Sequence, residues 1–187
     1  AAEQANQQGQ KVALVVVADD CALPRTKGIT GARGVAGTVL VHKVAGAAAA
    51  SGKSLEQVVD VAKLVAGRMG TLGIALDSVT LPGAEQTNDR LDEKTIEIGL
   101  GIHGEAGLKQ SPLLTANEMA REMVTTILNY GLVEMDEKGH ATILPMFQAG
   151  DELCVLVNNL GGTSNFEMAV LARACVSLLE SDEFATK

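Results

Sequence analysis

Three four-residue segments mark where helices begin, and they divide the chain into helical and non-helical parts. Each starts with a Ser or Thr and has a Glu or Gln three residues later: SLEQ at 54–57, TANE at 115–118 and SNFE at 164–167. In such a capping box the two side chains satisfy backbone N–H groups that a helix start leaves free. The apolar spacing after each box predicts a helix, the second ending near Asn129 and the third near Leu179.

Short runs rich in β-branched residues lie between and before these helices, and this is the composition of strands. The predicted strands are Lys11–Ala18, Thr71–Val79, the segment from Thr95 onward, Ala141–Leu144 and Leu153–Val157. Gly34–Ala50 is rich in alanine and nearly all apolar, which predicts a buried helix. Because strands and helices are intermixed without strict alternation, the sequence predicts an α/β fold, with a mixed sheet flanked by helices.

The composition limits the partners and the compartment. The chain has 187 residues, of which 47% are hydrophobic and 2% aromatic, and a formal net charge of -8 with no basic run, which argues against nucleic-acid binding. The apolar stretch Val35–Ala50 is short for a membrane span, and the first ten residues contain no signal segment. Three cysteines without a framework, Cys21, Cys154 and Cys175, indicate a reducing compartment. We therefore expect a cytoplasmic protein with no nucleic-acid or membrane partner.

The segment Thr95–Gly107, TIEIGLGIHGEAG, joins a strand pattern to a glycine-rich loop. This loop carries one histidine, His103, beside one carboxylate, Glu105, and Gly101 and Gly104 lie on either side of the histidine. Glycine lets the backbone approach a ligand closely, and loops at strand ends often carry the chemistry of α/β proteins. The loop is therefore a candidate ligand site. The alternative is a turn with a solvated histidine.

Other polar segments have both a structural and a functional interpretation. The segment 155–164, VLVNNLGGTS, could hold an anion at a helix start, or could only turn the chain and cap the helix. The segment 31–38, GARGVAGT, lacks the ending of a phosphate loop, and its glycines are more typical of close helix packing. Arg33 could hold an anion or a nearby carboxylate. Asp19 and Asp20 could be site residues or loop caps.

The two remaining histidines are expected to lie outside any site. His42 falls within the apolar helix, where a structural role is expected, and His140 falls in a polar turn, where it is expected to be solvated. The histidines and cysteines do not have the spacing of metal ligands, so no metal site is predicted.

Five segments occur in order along nearly the whole chain: ADDCAL, GARGVAGTVLVHKVAGAAA, MGTLGIALDSVTLPG, IEIGLGIHGEAG and GDELCVLVNNLGGTS. Together they resemble the K domain of dihydroxyacetone kinases. The resemblance implies that the chain binds dihydroxyacetone and that His103 forms a covalent hemiaminal with its ketone. Such an addition is reasonable for a neutral imidazole, and glycerol has no carbonyl carbon to accept it. Gly101, Gly104 and Glu105 would support the loop, with Glu105 either orienting the imidazole or only capping the loop.

The resemblance also implies what surrounds this chain in its parent protein. The parent would be an ATP-dependent kinase, with residues 1–30 as a trailing strand and linker of the first K subdomain and residues 31–187 as the second subdomain, which has a DegV-like fold. No cofactor is expected in this part, since ATP and Mg would enter through a missing L domain; a phosphoprotein relay is the other possible donor. Further expected partners are the missing first K subdomain and a second copy in a homodimer. Because the family's catalytic aspartate segment is missing, this chain alone is expected to be inactive. The alternative is a DegV-like lipid-binding module.

Overall fold

The computed structural model describes residues 1–23, 33–76, 83, 91, 94–102, 105–135 and 141–185, with the backbone alone described for 132–135 and 141–144. Its helices are α1 (Ala2–Gln7), α2 (Thr38–Ala50), α3 (Leu55–Gly67), α4 (Ala116–Asn129), α5 (Asn165–Leu179) and α6 (Asp182–Ala185). Its strands are β1 (Ile74–Ala75), β2 (Thr95–Ile98), β3 (Lys109–Pro112), β4 (Gly131–Met135) and β5 (Ala141–Pro145). Among the described residues, no helix has both the length and the apolar character needed to cross a membrane.

The strands form two antiparallel ladders. One is a three-stranded sheet in the order β1-β2-β3, and the other pairs β4 with β5. A parallel bridge between Asp20 and Thr71 lies outside these strands. Both strand directions therefore occur, and the predicted α/β class, with strands flanked by helices, is confirmed.

All three capping boxes are confirmed as helix starts. The hydroxyl oxygens of Ser54, Thr115 and Ser164 accept the backbone N–H of the residue three positions later at 3.3, 3.4 and 3.3 Å. The side chains of those later residues accept the backbone N–H of the cap at 3.0, 2.8 and 2.8 Å. As predicted, α4 ends at Asn129 and α5 ends at Leu179.

Most of the buried apolar side chains in the described residues form three clusters, and none of these buried residues is aromatic. The cluster under the three-stranded sheet consists of Ala22, Leu72, Ile96 and Ile98. The cluster beneath α2 and α3 consists of Val41, Ala62 and Met69, and the cluster between α4 and α5 consists of Ala120, Val124 and Cys175. Ile96 and Ile98 are 0% and 1% exposed, so β2 is anchored firmly. The loop that follows β2 therefore starts from a fixed point.

Two predicted strands form no ladder in the part of the chain that the structure describes, and this corrects the prediction. In the segment 11–18, Val15 and Val17 pack against the α2–α3 cluster, but Leu14 is 72% exposed. Only one face of this segment meets a neighbouring element, so the prediction of a strand buried on both faces is wrong. The segment 153–157 is likewise outside any ladder, and most of its side chains are exposed. A ladder needs a second strand within hydrogen-bonding distance, which sequence composition alone cannot supply.

The apolar segment 34–50 also differs from its prediction. Helix α2 begins only at Thr38, and its buried residues are Val41 and Ala48. It packs on α3 through one stripe, so most of its apolar surface, and His42 with it, is exposed. The prediction of a buried helix is therefore wrong, and the exposure of His42 does not support the structural role predicted for it.

Several further predictions are met only in part by the described residues. Of the predicted strand 71–79, the structure assigns Ile74–Ala75 to a strand, while residues 77–79 lie outside the described part. His140 also lies outside it.

Cys175 is buried, and this burial raises the pKa of its thiol, whereas Cys154 is exposed despite its apolar neighbours.

Candidate functional site

The candidate loop is the connection of a β-hairpin. Ile98 at the end of β2 pairs with Lys109 at the start of β3, so residues 99–108 join the two strands; we call them the hairpin loop. The backbone N–H of Leu108 donates to the carbonyl of Ile98 at 2.7 Å and closes the loop. At its start, the N–H of Gly99 donates to the carbonyl of Gly73, beside β1, at 2.6 Å. Both ends of the hairpin loop are thus attached to the sheet.

The residues predicted to form the site fall within this hairpin loop. Gly101 is buried, Glu105 is exposed, and the N–H of Gly101 donates to the carbonyl of Glu105 at 3.1 Å. His103 and Gly104 lie outside the described residues. The role predicted for His103 therefore stays a prediction, and the structure brings together the residues on either side of it.

Two glycines permit the close packing of the hairpin loop. Gly99 has a φ of +80°, a conformation that costs residues with a Cβ about 1–2 kcal/mol. A Cβ there would collide with the Cβ of Ala22. A Cβ on Gly101 would lie 2.9 Å from Nη1 of Arg33 and would also collide with the Glu105 carboxylate. The loop can approach its neighbours because these two positions have no side chain.

Arg33 links the hairpin loop to Asp20, in an earlier part of the chain. Its Nε donates to Oδ2 of Asp20 at 2.6 Å, and its Nη2 donates to the carbonyl of Gly99 at 2.7 Å. Its Nη1 lies 3.5 Å from the carbonyl of Ala106, a weaker contact. The sequence left open whether Arg33 holds an anion or a nearby carboxylate. The structure shows the carboxylate, that of Asp20.

Asp19 is completely buried and links three segments of the chain. Its Oδ1 accepts the N–H of Val35 at 2.8 Å, and its Oδ2 accepts the N–H of Gly37 at 2.8 Å and the hydroxyl of Thr71 at 2.5 Å. A buried carboxylate with this set of donors needs no further partner. Of the two interpretations of Asp19, the structure supports the structural one.

Glu97 is a buried acid that the sequence analysis did not single out. It is 4% exposed in the middle of β2, and its Oε1 accepts the N–H of Gly107 at 2.6 Å. The available signal was a carboxylate between two isoleucines, Ile96 and Ile98, which themselves become buried. An acid in that setting requires hydrogen-bond donors. Here one donor comes from the far end of the hairpin loop.

The two glycine-rich segments outside the hairpin loop have structural roles. In the segment 155–164, Asn159 accepts the N–H of Gly161 at 2.9 Å and donates to the carbonyl of Thr163 at 2.7 Å, while Ser164 caps α5. These contacts support the interpretation as a turn and a cap. In the segment 31–38, a Cβ on Gly37 would lie 2.6 Å from Asp19 Oδ2, which supports close packing. Gly31 lies outside the described residues.

A cleft in the described structure is lined by residues outside the hairpin loop. It has a volume of about 600 Å³ and runs along α4 beside α6. It is lined by Cys21, Arg121, Glu122, Thr125, Thr126, Asn129, Tyr130 and Glu183. Its charged residues are already paired: Arg121 with Glu183, and Glu122 with Lys109, each at 2.6 Å. The cleft does not contain any of the predicted site residues.

The fold and the hairpin loop define a class: a mixed α/β domain that presents a glycine-rich loop from an antiparallel sheet and holds it with a buried Asp–Arg pair. Comparison with known families identifies the domain, since the Dak1 domain model matches residues 1–187. The chain belongs to the Dak1 domain family. The family resemblance predicted from the sequence segments is thereby confirmed.

Individual relatives agree with this assignment. The chain is 43% identical over 180 residues to the triokinase/FMN cyclase of Bos taurus, covering 96% of this chain and 29% of that protein. It is 36% identical over 181 residues to the dihydroxyacetone-binding subunit DhaK of a PTS-dependent dihydroxyacetone kinase of Listeria innocua, covering 97% of this chain and 51% of the subunit. The chain therefore spans about three tenths of the first relative and about half of the second.

A solved structure shows the same fold. The dihydroxyacetone kinase of C. freundii superposes with a TM-score of 0.77 at 34% sequence identity, covering 99% of this chain and 30% of that protein. The family match and this superposition favour the kinase interpretation over the alternative of a lipid-binding module.

Proposed function

We propose that this chain is the dihydroxyacetone-binding part of a dihydroxyacetone kinase. The observation that carries the proposal is the Dak1 family match over all 187 residues. Two relatives support it: a Listeria subunit that is named for dihydroxyacetone binding and a C. freundii kinase that is named for the same substrate. Both align with nearly the whole of this chain.

In this proposal His103 captures the substrate by a covalent bond. A lone pair on one imidazole nitrogen adds to the ketone carbon, the C–N bond forms, and the π electrons of the carbonyl move to its oxygen. That oxygen gains a proton and the ring loses one, so the product is a neutral hemiaminal and no oxidant is needed. A neutral imidazole is available near pH 7 because the ordinary pKa of histidine is about 6.5. Ketones are thereby selected over glycerol.

The neighbours of His103 support this role by shaping its loop. Gly101 is buried and hydrogen-bonded to the backbone of Glu105, which fixes one side of the segment that contains His103. We propose that the Glu105 carboxylate orients the imidazole and that Gly104 gives the substrate room to approach. Glu105 is an exposed residue of the same loop.

We propose that phosphoryl transfer depends on parts of the parent protein other than this chain. Among the described residues, no group of three or more His, Cys, Asp and Glu side chains could hold a metal ion. The buried acids Asp19 and Asp20 are committed to backbone amides and Arg33. The described residues thus do not fit a Mg–ATP site. The donor would act from an L domain or a phosphoprotein partner.

The arrangement of the parent follows the same proposal. Residues 1–30 would end a first K subdomain, residues 31–187 would form the second, and two copies would pair as a homodimer. The three free cysteines are consistent with a reducing, cytoplasmic setting. Light scattering of the purified chain would test pairing, and a monomer at every concentration would remove the homodimer from the proposal.

The test of substrate capture is carbon NMR of dihydroxyacetone labelled at its ketone carbon. With this chain we expect a new signal from a tetrahedral carbon bonded to nitrogen, and with His103→Ala we expect no such signal. Added ATP and Mg should give no phosphate ester in phosphorus NMR of the same sample, because this chain covers only 29% of a triokinase relative.

Two controls make the result decisive. His42→Ala, which removes an exposed histidine on α2, should leave the adduct signal unchanged. Labelled glycerol should give no adduct. An adduct that survives His103→Ala would disprove the role of His103, and a phosphate ester formed by the chain alone would disprove the proposed division of labour.

A further inference from the structure

We propose that Arg33 is the positioning residue of the hairpin loop, because one guanidinium joins the buried Asp20 carboxylate to the backbone on both sides of His103. The proposal deepens the proposed function and rests on it for the role of His103. It assigns Arg33 no contact with substrate. Its effect on the reaction would come from holding the loop in one conformation.

The contacts of the guanidinium carry this inference. Nε donates to Asp20 and Nη2 donates to the carbonyl of Gly99, four residues before His103, while Nη1 faces the carbonyl of Ala106, three residues after it. These acceptors lie 13, 66 and 73 residues from Arg33 in sequence. A planar fork can serve several acceptors in different directions, whereas a lysine ammonium acts as a point charge.

Asp20 is itself held in place by hydrogen bonds, so the Arg33 guanidinium is bound to a carboxylate in a fixed position. Its Oδ1 accepts the N–H of Ala22 at 2.8 Å, and its own N–H donates to the carbonyl of Arg33 at 3.2 Å. The side chain of Asp20 is 4% exposed and that of Arg33 is 16% exposed. Because the two charges neutralise each other, the guanidinium acts here through the direction of its hydrogen bonds.

The absence of a side chain at Gly101 is a second observation that fits this role. A Cβ at this position would meet both Arg33 Nη1 and the Glu105 carboxylate, so these two side chains lie against the same buried glycine. Arg33 therefore reaches the loop at its start, at Gly101 and near its end. Displacing the guanidinium would remove its contacts with the carbonyls of Gly99 and Ala106.

The experiment compares Arg33→Lys with Arg121→Lys, a matched change in an exposed ion pair with Glu183. Amide hydrogen exchange of Gly101 and Gly107 should be at least tenfold faster in Arg33→Lys and unchanged in Arg121→Lys. The dissociation constant of the dihydroxyacetone adduct should rise at least tenfold in Arg33→Lys alone. In Arg33→Ala, millimolar guanidinium should restore adduct formation, and neutral urea at the same concentration should not.

If Arg33 only contributed to the overall stability of the chain, any destabilising variant would weaken adduct formation. Val124→Ala, in the α4–α5 cluster, lowers stability without touching the loop and should leave the adduct constant unchanged. If an Arg33 variant does not fold, Asp20→Asn tests the same link and should speed exchange of the same amides. Unchanged exchange and adduct formation in Arg33→Lys would overturn the positioning role. If the wild-type chain forms no adduct while amide hydrogen exchange in the hairpin loop still depends on Arg33, the proposed function is disproved and the positioning role stands.

Discussion

Gly99 is subject to two separate constraints, one on its backbone and one on the space around it. Its φ is +80°, and the place where a side chain would begin is already occupied by Ala22 and Leu108. Gly150 has a similar φ of +88° but nothing within 4 Å of the place where its Cβ would be. The two glycines therefore separate the cost of backbone strain from the cost of crowding.

We predict that Gly99→Ala destabilises the chain by about 3 kcal/mol and Gly150→Ala by about 1 kcal/mol. Both alanines would have a strained left-handed backbone, and only the alanine at position 99 would also clash with its neighbours. Urea unfolding followed by circular dichroism measures both values. Equal losses in the two variants would show that the loop start can move away from Ala22, and would contradict the close packing described for the hairpin loop.

Helices α3, α4 and α5 all begin with a capping box, but the chemistry of the box differs between them. In α4 and α5 the returning side chain is a glutamate, and in α3 it is Gln57. The Thr115 N–H and hydroxyl donate to the Glu118 carboxylate at 2.8 and 2.7 Å, and these bonds lower the pKa of Glu118 below its ordinary value of 4.5. The start of α4 should therefore respond to acid through Glu118, whereas the returning side chain of the α3 box, Gln57, does not titrate.

We predict that Glu118→Gln lowers the melting temperature at pH 7 and has a smaller effect at pH 3. A lowered folded pKa means that the stabilisation by Glu118 is complete above pH 4.5 and is lost as the pH falls through the folded value. Thermal melts at several pH values provide the measurement. Gln57→Ala is the control and should cost the same at both pH values. A Glu118→Gln effect that does not change with pH would refute the prediction.

Helix starts could be predicted from the sequence more reliably than strand ladders. The capping boxes were correct because each is a local pattern, complete within four residues. The strand at Thr95 was also correct, but the segments 11–18 and 153–157 were not, because a ladder requires a partner from elsewhere in the chain. The candidate loop was recognised from its glycines and histidine. The contacts of Arg33 could not be, since they join residues 13 to 73 positions apart.

The chain as a whole is held together by small aliphatic clusters and by polar junctions between them. Its segment 11–18 packs on one face, and several large apolar side chains, such as Phe166 at 78%, remain exposed. In such a molecule the buried polar contacts fix how distant segments meet. Asp19 is one such residue, since it accepts hydrogen bonds from residues 16, 18 and 52 positions away.

The Asp19 junction has a consequence for the order in which the chain folds. The entropic free energy of closing a loop of 52 residues is about 1 kcal/mol higher than that of closing one of 16. The contact with Thr71 is therefore expected to form after the rate-limiting step of folding. Asp19→Asn, which turns one acceptor into a donor, should then speed unfolding at least tenfold and leave refolding nearly unchanged in stopped-flow experiments. Slower refolding would place the junction in the folding nucleus. The carboxylate at residue 19 would thus determine the lifetime of the native state by slowing its unfolding.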